Sequence, residues 1–149
     1  MGCASRPASR NPYTRSLSEY IDILEAYRTG VLANRDGERL RTQLMTFSFA
    51  EDNRAYFCTT SDNPVYGQLV AYPNVSYCTF PASYEPVLSL SGRVVFVEDR
   101  GIKQRALETN NYAMRNFRSI ENPLLRVFYI DVEFIEIYSS EGTFIYNAK

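Results

Sequence analysis

The segment FCTTSDNPVYGQL, residues 57–69, decides how the chain is interpreted. An aromatic β-strand pattern ends in polar residues, and Pro64 then predicts the first turn of a short helix, because proline is favoured at that position. Ser61, Asp62 or Asn63 would cap this helix by accepting a hydrogen bond from a backbone N–H. Such a corner either seats an anionic group at the helix N-terminus or is an ordinary strand-to-helix turn.

An amphipathic helix is predicted before this segment, because apolar residues there follow helical spacing. Ser16 and Glu19 would form a capping box at its start, and Gly30 would end it. A second helix is predicted over residues 100–117, with an apolar face that packs on a sheet. The apolar positions of the first helix are Leu17, Tyr20, Ile21 and Leu24, and those of the second are Ile102, Ala106, Leu107 and Met114.

Strand patterns dominate the rest of the chain. Asp36-Gly37 predicts a tight turn between two strands, and Gly92 permits a bulge in a long apolar strand. Many short strands with few helices indicate an antiparallel barrel. Strands are predicted over residues 30–34, 39–50, 55–59, 74–80, 87–98, 124–130 and 133–138, with a polar tail after them. One face of strand 39–50 is predicted to carry Arg39, Arg41, Gln43, Met45, Phe47 and Phe49.

Length and composition exclude several classes of function. The 149 residues favour one domain, and we predict a disordered tail over residues 1–15 and a folded domain over 16–149. A net charge of −1 argues against nucleic-acid binding. The chain has no His, which excludes Ser-His-Asp and Cys-His catalysis, His-ligated zinc and a His-ligated haem.

The cysteines and the hydropathy pattern bear on the location of the protein. Three widely spaced Cys suggest neither a disulfide framework nor a zinc site, so we expect a reducing, cytoplasmic setting. We expect no membrane span, because no stretch approaches the roughly 20 apolar residues that one requires.

Four segments in sequence resemble the pyridoxamine phosphate oxidase-like, FMN-binding split-barrel family, particularly its small bacterial members similar to general stress proteins. These segments are VLANRDGERLRTQLMTFSF (31–49), AYFCTTSDNPVYGQLVAYPNVSY (55–77), LSLSGRVVFVEDRGIKQRALE (88–108) and LLRVFYIDVEFIEIY (124–138). The resemblance covers roughly residues 16–139. It implies a mainly β fold, a six-stranded antiparallel split β-barrel with two to three flanking α-helices. It also implies a homodimer with FMN at the interface.

The resemblance implies cofactor-binding residues and no catalytic or metal-binding ones. Hydroxyl groups at the end of the third strand would contact the FMN phosphate, and Arg41 or Gln43 falls where an Arg usually meets it. Gln68 matches a Gln that reaches the flavin. Each residue also has an ordinary explanation as a strand end, a helix cap or a solvent-facing charge. The expected cofactor-binding residues are Arg41, Gln43, Met45, Thr46, Phe47, Thr59, Thr60, Ser61, Asn63 and Gln68.

The chain departs from the family pattern in its charges. No Lys or Arg lies between Arg54 and Arg93, and Asp62 stands near the expected phosphate. A charge-assisted hydrogen bond contributes roughly 1.5–3 kcal/mol, whereas a helix N-terminus contributes only about 0.3–2 kcal/mol. With these charges missing, the site would hold FMN weakly, hold it through a rearranged set of arginines, or have lost it. Arg41, Arg93 and Arg126, from either subunit, are the candidate substitutes.

Three hypotheses follow. The first is an FMN-dependent oxidoreductase that acts on an unknown small molecule by hydride transfer at flavin N5. The second is a non-catalytic dimeric barrel that binds a ligand or a protein and has lost tight flavin binding. The third is a protein that holds another cofactor, such as haem or a deazaflavin, in the same cleft.

Overall fold

The computed structural model describes residues 5–6, 8–9 and 17–148 of the chain. Strands β1 (Ser5–Arg6) and β2 (Ala8–Ser9) pair antiparallel as a separate two-stranded sheet. The predicted tail over residues 1–15 falls largely outside the described residues, as does Ser16 of the predicted capping box, and both stay predictions. Among the described residues, no helix has the length and apolar character that a membrane crossing needs.

The other strands form one antiparallel sheet that closes on itself. Its order is β5-β4-β3-β6-β7-β8-β9, and pairing of β5 with β8 closes the first six strands into a barrel. The predicted six-stranded barrel is confirmed, with β9 as an additional strand. The strands are β3 Thr29–Asp36, β4 Arg39–Glu51, β5 Arg54–Thr60, β6 Asn74–Thr79, β7 Val87–Val97, β8 Leu125–Ser139 and β9 Gly142–Asn147.

The described residues contain four helices, one more than the upper number predicted. They are α1 Glu19–Ala26, α2 Pro64–Ala71, α3 Arg100–Glu108 and α4 Asn111–Phe117. The single helix predicted over 100–117 is divided, because the Asn110 side chain accepts a hydrogen bond from Ala113 N and so begins a new helix. Met114, predicted on the packed face, is exposed because it belongs to this second helix.

The first helix is shorter than the one predicted from the spacing of its apolar residues. It ends at Ala26 with Tyr27 as its C-cap, and Ser18 occupies the N-cap position. Gly30 does not end the helix but lies in β3, where a Cβ atom would come within 2.5 Å of Cys78 O and 2.6 Å of Tyr77 Oη. The glycine therefore permits close approach of neighbouring strands.

Aromatic rings fill the barrel. The Phe57 ring lies 5.5 Å from that of Phe128 and 4.9 Å from that of Tyr77, and all three residues are buried. A second cluster lies under α3, where the rings of Phe49 and Tyr56 stack at 4.3 Å. A register shift between Phe47 and Phe49 separates the two clusters. The prediction that both share one face is wrong, because the bulge inserts a residue and turns Phe49 outward.

The C-terminal strands also differ from prediction. The predicted bulge at Gly92 is confirmed as a register shift between Ser91 and Gly92. The two strands predicted over 124–138 are one strand, β8, because β7 pairs with it from Val127 to Tyr138 and the bulge absorbs the irregularity. The predicted polar tail contains β9, whose Phe144 and Tyr146 pack against the barrel core.

Candidate functional site

A cleft opens in the barrel wall where β4 and β5 separate. The register between the two strands runs from Glu51 paired with Arg54 to Phe47 paired with Phe57. Beyond that pair, β4 continues along β3, and β5 continues along β8 as far as Thr60. Residues 43–46 and 58–60 therefore form two walls that no longer share a ladder of backbone hydrogen bonds.

A cavity of about 270 Å³ lies between these walls. This volume is just below the roughly 300–1,000 Å³ that is usual for small-molecule sites. Five of the ten predicted cofactor-binding residues line it, from both walls and from the start of α2. The lining residues are Thr29, Gln43, Leu44, Met45, Thr46, Cys58, Thr59, Asn63, Asn110, Tyr112 and Phe117.

The strand-to-helix corner borders this cavity. Of the three predicted capping residues, Asn63 caps α2, since its Oδ1 accepts a hydrogen bond from Val65 N at 3.0 Å. The corner is fixed further by Ser61 N, which donates to Leu124 O at 2.8 Å. Because Asn63 both caps the helix and lines the cavity, the N-terminal end of the helix dipole lies at the cavity wall. The dipole favours a negative charge at this wall.

The other predicted residues lie outside the cavity lining. Phe47 is fully buried in the barrel core, and Thr60 is the last β5 residue paired with β8. Ser61 lies in the turn after it. Arg41 lies near the β3–β4 turn, where its Nη1 is 3.9 Å from the Asp36 carboxylate, and it borders a second cavity of about 530 Å³. Gln68 is bonded to Asn34 rather than directed at the cavity.

Asn110 is a cleft residue that the sequence did not reveal. Its side chain is 2 % exposed and donates to Thr46 O and to Ser48 Oγ, each at 3.0 Å. These bonds attach the α3–α4 connection to the edge of β4 where β5 has departed. The only signal for this role in the sequence was that Asn can cap a helix. The segment around Asn110 was predicted to be one continuous helix.

The cleft wall also holds a thiol. Burial raises the pKa of Cys58 to about 11, although a hydrogen bond from Ser48 opposes the shift. The Cys58 Sγ lies 3.7 Å from Ser48 Oγ. At neutral pH the thiol is therefore protonated, and it contributes shape to the cleft rather than a nucleophilic thiolate.

Two arginines stand close to the cleft and are bonded to backbone carbonyls. The Arg28 Nη1 donates to Ser48 O and Thr109 O, each at 3.0 Å. Arg126, which pairs with Thr59 across the β5–β8 ladder, donates to Pro123 O at 3.0 Å and Leu125 O at 2.8 Å. The first N–H groups of α2 are already bonded, since Val65 N donates to Asn63 Oδ1 and Tyr66 N donates to Asn63 O. The groups left to meet a phosphate at the corner are the Thr59 hydroxyl on the cavity wall and Arg126, whose guanidinium lies 5.5 Å from the Tyr66 ring at the start of α2.

The closed six-stranded barrel with a cleft between two of its strands defines a split-barrel protein. No protein-family model matches the chain, and no curated protein matches it. Among solved structures, general stress protein 26 from Bacillus anthracis str. Sterne is 25 % identical. Its TM-score is 0.71, with 81 % of this chain and 92 % of that one covered.

Two further solved structures have the same fold. A proposed pyridoxamine 5'-phosphate oxidase from Listeria innocua is 26 % identical with a TM-score of 0.71, and 83 % of this chain and 98 % of that one are covered. A heme binding protein from Mycobacterium smegmatis is 14 % identical with a TM-score of 0.71, covering 90 % of this chain and 59 % of that one. General stress protein 26 and the Listeria innocua protein confirm the resemblance to the pyridoxamine 5'-phosphate oxidase-like split-barrel family.

Proposed function

We propose that the protein binds FMN in the β4–β5 cleft and is a flavin-dependent oxidoreductase that acts on a small molecule. The observation that supports this most directly is the cavity between the two strands, bordered by the capped N-terminus of α2. When bound, the isoalloxazine ring supplies hydride chemistry at its N5 atom. The protein would then contribute binding and orientation, which accords with a chain that has no His.

The proposed contacts follow the two walls of the cleft. The hydroxyl groups of Thr59, Thr60 and Ser61 and the dipole at the start of α2 would hold the phosphate. Met45 and Thr46 on β4 would lie along the ring system, with the buried Phe47 behind them. A phosphate contact from Arg41 and a flavin contact from Gln68 remain part of the proposal.

A homodimer with the cofactor at its interface is also part of the proposal. Leu44 and Tyr112 line the cavity, yet they are 75 % and 54 % exposed. Nearby Leu40 is 85 % exposed. Large apolar side chains beside a ligand cavity favour coverage by a partner, and a second copy would add a wall to a cavity of modest volume. A cytoplasmic location accords with the free thiols of Cys58 and Cys78.

A titration with FMN tests the binding proposal. We expect the flavin fluorescence to be quenched on binding and a dimer to be found by light scattering. Leu44→Glu places a charge at the cavity rim, so it should weaken both the dimer and FMN binding. Ile145→Glu is the matched control, because Ile145 is an exposed apolar residue of β9. Absence of FMN binding by the intact wild-type fold would refute the proposal.

The alternatives rest on two observations. The absence of Lys and Arg from residues 55–92, together with Asp62, favours a non-catalytic ligand-binding or interaction protein. The similarity to a heme binding protein favours haem in the same cleft, with Tyr or Cys in place of His. Parallel titrations with haem, a deazaflavin and FMN distinguish the cofactors. If FMN binds but neither a nicotinamide cofactor nor another electron donor reduces it, the non-catalytic hypothesis is favoured.

A further inference from the structure

Three side-chain amides form a chain from the cleft to α2. Gln43, on β4, donates from Nε2 to Asn34 Oδ1 at 2.7 Å. Asn34, on β3, donates from Nδ2 to Gln68 Oε1 at 2.8 Å. Asn34 is 3 % exposed, so it lies buried between the two glutamines. The chain thereby joins a residue that lines the cavity to the helix whose N-terminus borders the same cavity.

The orientation of the Asn34 amide sets the direction of both hydrogen bonds in this chain. Asn34 Nδ2 also donates to Arg35 O at 3.2 Å, and a backbone carbonyl only accepts hydrogen bonds. The nitrogen of Asn34 must therefore face Arg35 and Gln68, and its oxygen must face Gln43. Reversing the chain would place the Asn34 oxygen against the Arg35 oxygen, and neither oxygen can donate a hydrogen bond to the other.

The fixed direction determines what Gln43 offers to a ligand. Its amide nitrogen is bonded to Asn34, and within residues 17–148 no donor is bonded to its Oε1. A ligand at the cavity wall thus meets an acceptor whose orientation Asn34 maintains. An acceptor of this kind pairs with an N–H group, such as the imide N–H that lies between two carbonyls in an oxidised flavin ring.

We propose that Asn34 is a positioning residue that makes Gln43 an acceptor for a ring N–H, so that the cleft selects ligands with an imide edge. The proposal rests on FMN binding as proposed above and specifies which part of the flavin β4 recognises. The same bonds connect β4 to α2. Asn34 therefore also links one wall of the cleft, formed by β4, to the helix that begins at the other wall.

The probe is the ratio of affinities for FMN and for FMN methylated at the imide nitrogen. A single hydrogen bond contributes about 0.5–1.5 kcal/mol, which corresponds to a preference for FMN of up to about tenfold. We expect the wild type to show this preference. We expect Gln43→Leu and Asn34→Leu to reduce the ratio to within about threefold of unity.

A conservative variant and a control separate positioning from general damage to the fold. Asn34→Asp keeps an oxygen that accepts from Gln43 and should keep most of the preference. Its second oxygen lies against Arg35 O and Gln68 Oε1, so this variant should also lower the free energy of unfolding. Ile137→Val is the control. It shortens a buried side chain near the C-terminal end of β8, which lowers stability without changing the three amides, so the affinity ratio should stay unchanged. Gln43→Leu alters a half-buried residue and keeps the test interpretable if Asn34→Leu does not fold.

The outcomes distinguish the two proposals. If the wild type binds neither flavin, FMN binding itself is refuted. If the wild type binds FMN but Asn34→Leu and Gln43→Leu keep the full preference, the role of Asn34 is refuted and FMN binding stands. If Asn34→Asp and Asn34→Leu lose the preference equally while Gln43→Leu keeps it, the orientation of Gln43 is not what selects the ring.

Discussion

The two halves of the β4–β5 wall differ in pairing and in composition. Between Phe47 and Glu51, β4 is paired with β5 and carries buried aromatic residues. Between Gln43 and Thr46 the strands are apart, and the facing residues are largely polar or exposed. The paired half stabilises the barrel, whereas the separated half provides the space for a ligand. One pair of strands therefore serves both structure and binding.

Two backbone carbonyls of the separated half accept hydrogen bonds from side chains. Met45 O accepts from Tyr77 Oη at 2.9 Å, and Thr46 O accepts from Asn110 Nδ2 at 3.0 Å. At Thr46 a side chain thus supplies a donor on the edge of β4 that β5 has left. The comparison shows that a barrel wall can open without leaving buried carbonyls unpaired, provided that other elements supply donors.

The largest expected effect lies in the paired half. Phe57→Ala should lower the free energy of unfolding by about 3–5 kcal/mol, because it leaves a cavity among Phe47, Tyr77 and Phe128. Urea denaturation measures this change. The matched change in the separated half is Leu44→Ala, which should cost under about 0.5 kcal/mol in the dissociated monomer, because Leu44 is exposed there. Equal losses at the two positions would contradict the division of the wall.

Asn110→Ala tests how the separated half is held. It removes a helix cap and the donor to Thr46 O, so we expect a loss of about 2 kcal/mol. Asp99→Ala removes only a cap, that of α3, and should cost about 1 kcal/mol. Hydrogen exchange near Thr46 should accelerate in the first variant alone. Similar exchange in both would show that Asn110 does not hold the β4 edge.

Arg41→Ala tests whether the binding surface extends as far as the β3–β4 turn. If Arg41 contacts the phosphate, FMN affinity should fall about tenfold or more, the effect of losing a charge-assisted hydrogen bond. Arg39→Ala is the control, since Arg39 is a second exposed arginine of β4. Unchanged affinity in Arg41→Ala would restrict the site to the cavity lined by Gln43 and Asn63.

The thiol of Cys58 gives the smallest effect, a pH dependence. Its pKa is about 11 in the fold and 9.0 as a free side chain, mainly because of burial. The unfolded chain therefore loses this proton first, and stability that is fully present below pH 9 falls between about pH 9 and pH 11. At pH 10 the loss due to this group should be about 1 kcal/mol.

Urea denaturation at pH 8 and pH 10 measures this dependence. The difference between the two values should be smaller in Cys58→Ala than in the wild type, because the variant lacks the titrating thiol. Other groups with raised pKa values, such as Tyr20 at about 12, contribute equally to both proteins and cancel in the comparison. The same pH dependence in both proteins would mean that Cys58 is not buried in the cleft wall.

The features that the sequence predicted correctly depend on near neighbours. Asn63 and Pro64 mark the start of α2, and Gly37 forms the predicted tight turn with a φ of 67°. Features that depend on distant partners were not predicted. The division of the second helix is one such case, because Asn110 bonds to Thr46 and Ser48, which lie 64 and 62 residues away. The outward turn of Phe49 is another, because it follows from the bulge between β4 and β5.

Periodicity and turn residues by themselves indicated the barrel and its strand-to-helix corner, because these signals act locally. The predicted site residues, half of which line the cavity, came from the family resemblance. Only the tertiary structure decided where β4 leaves β5 and which residues replace the missing pairing. Those outcomes depend on competition between β3, β5 and β8 for backbone hydrogen bonds, which no short segment encodes. The Gln43–Asn34–Gln68 amide chain arises in the same way, from three elements that meet only in the folded protein.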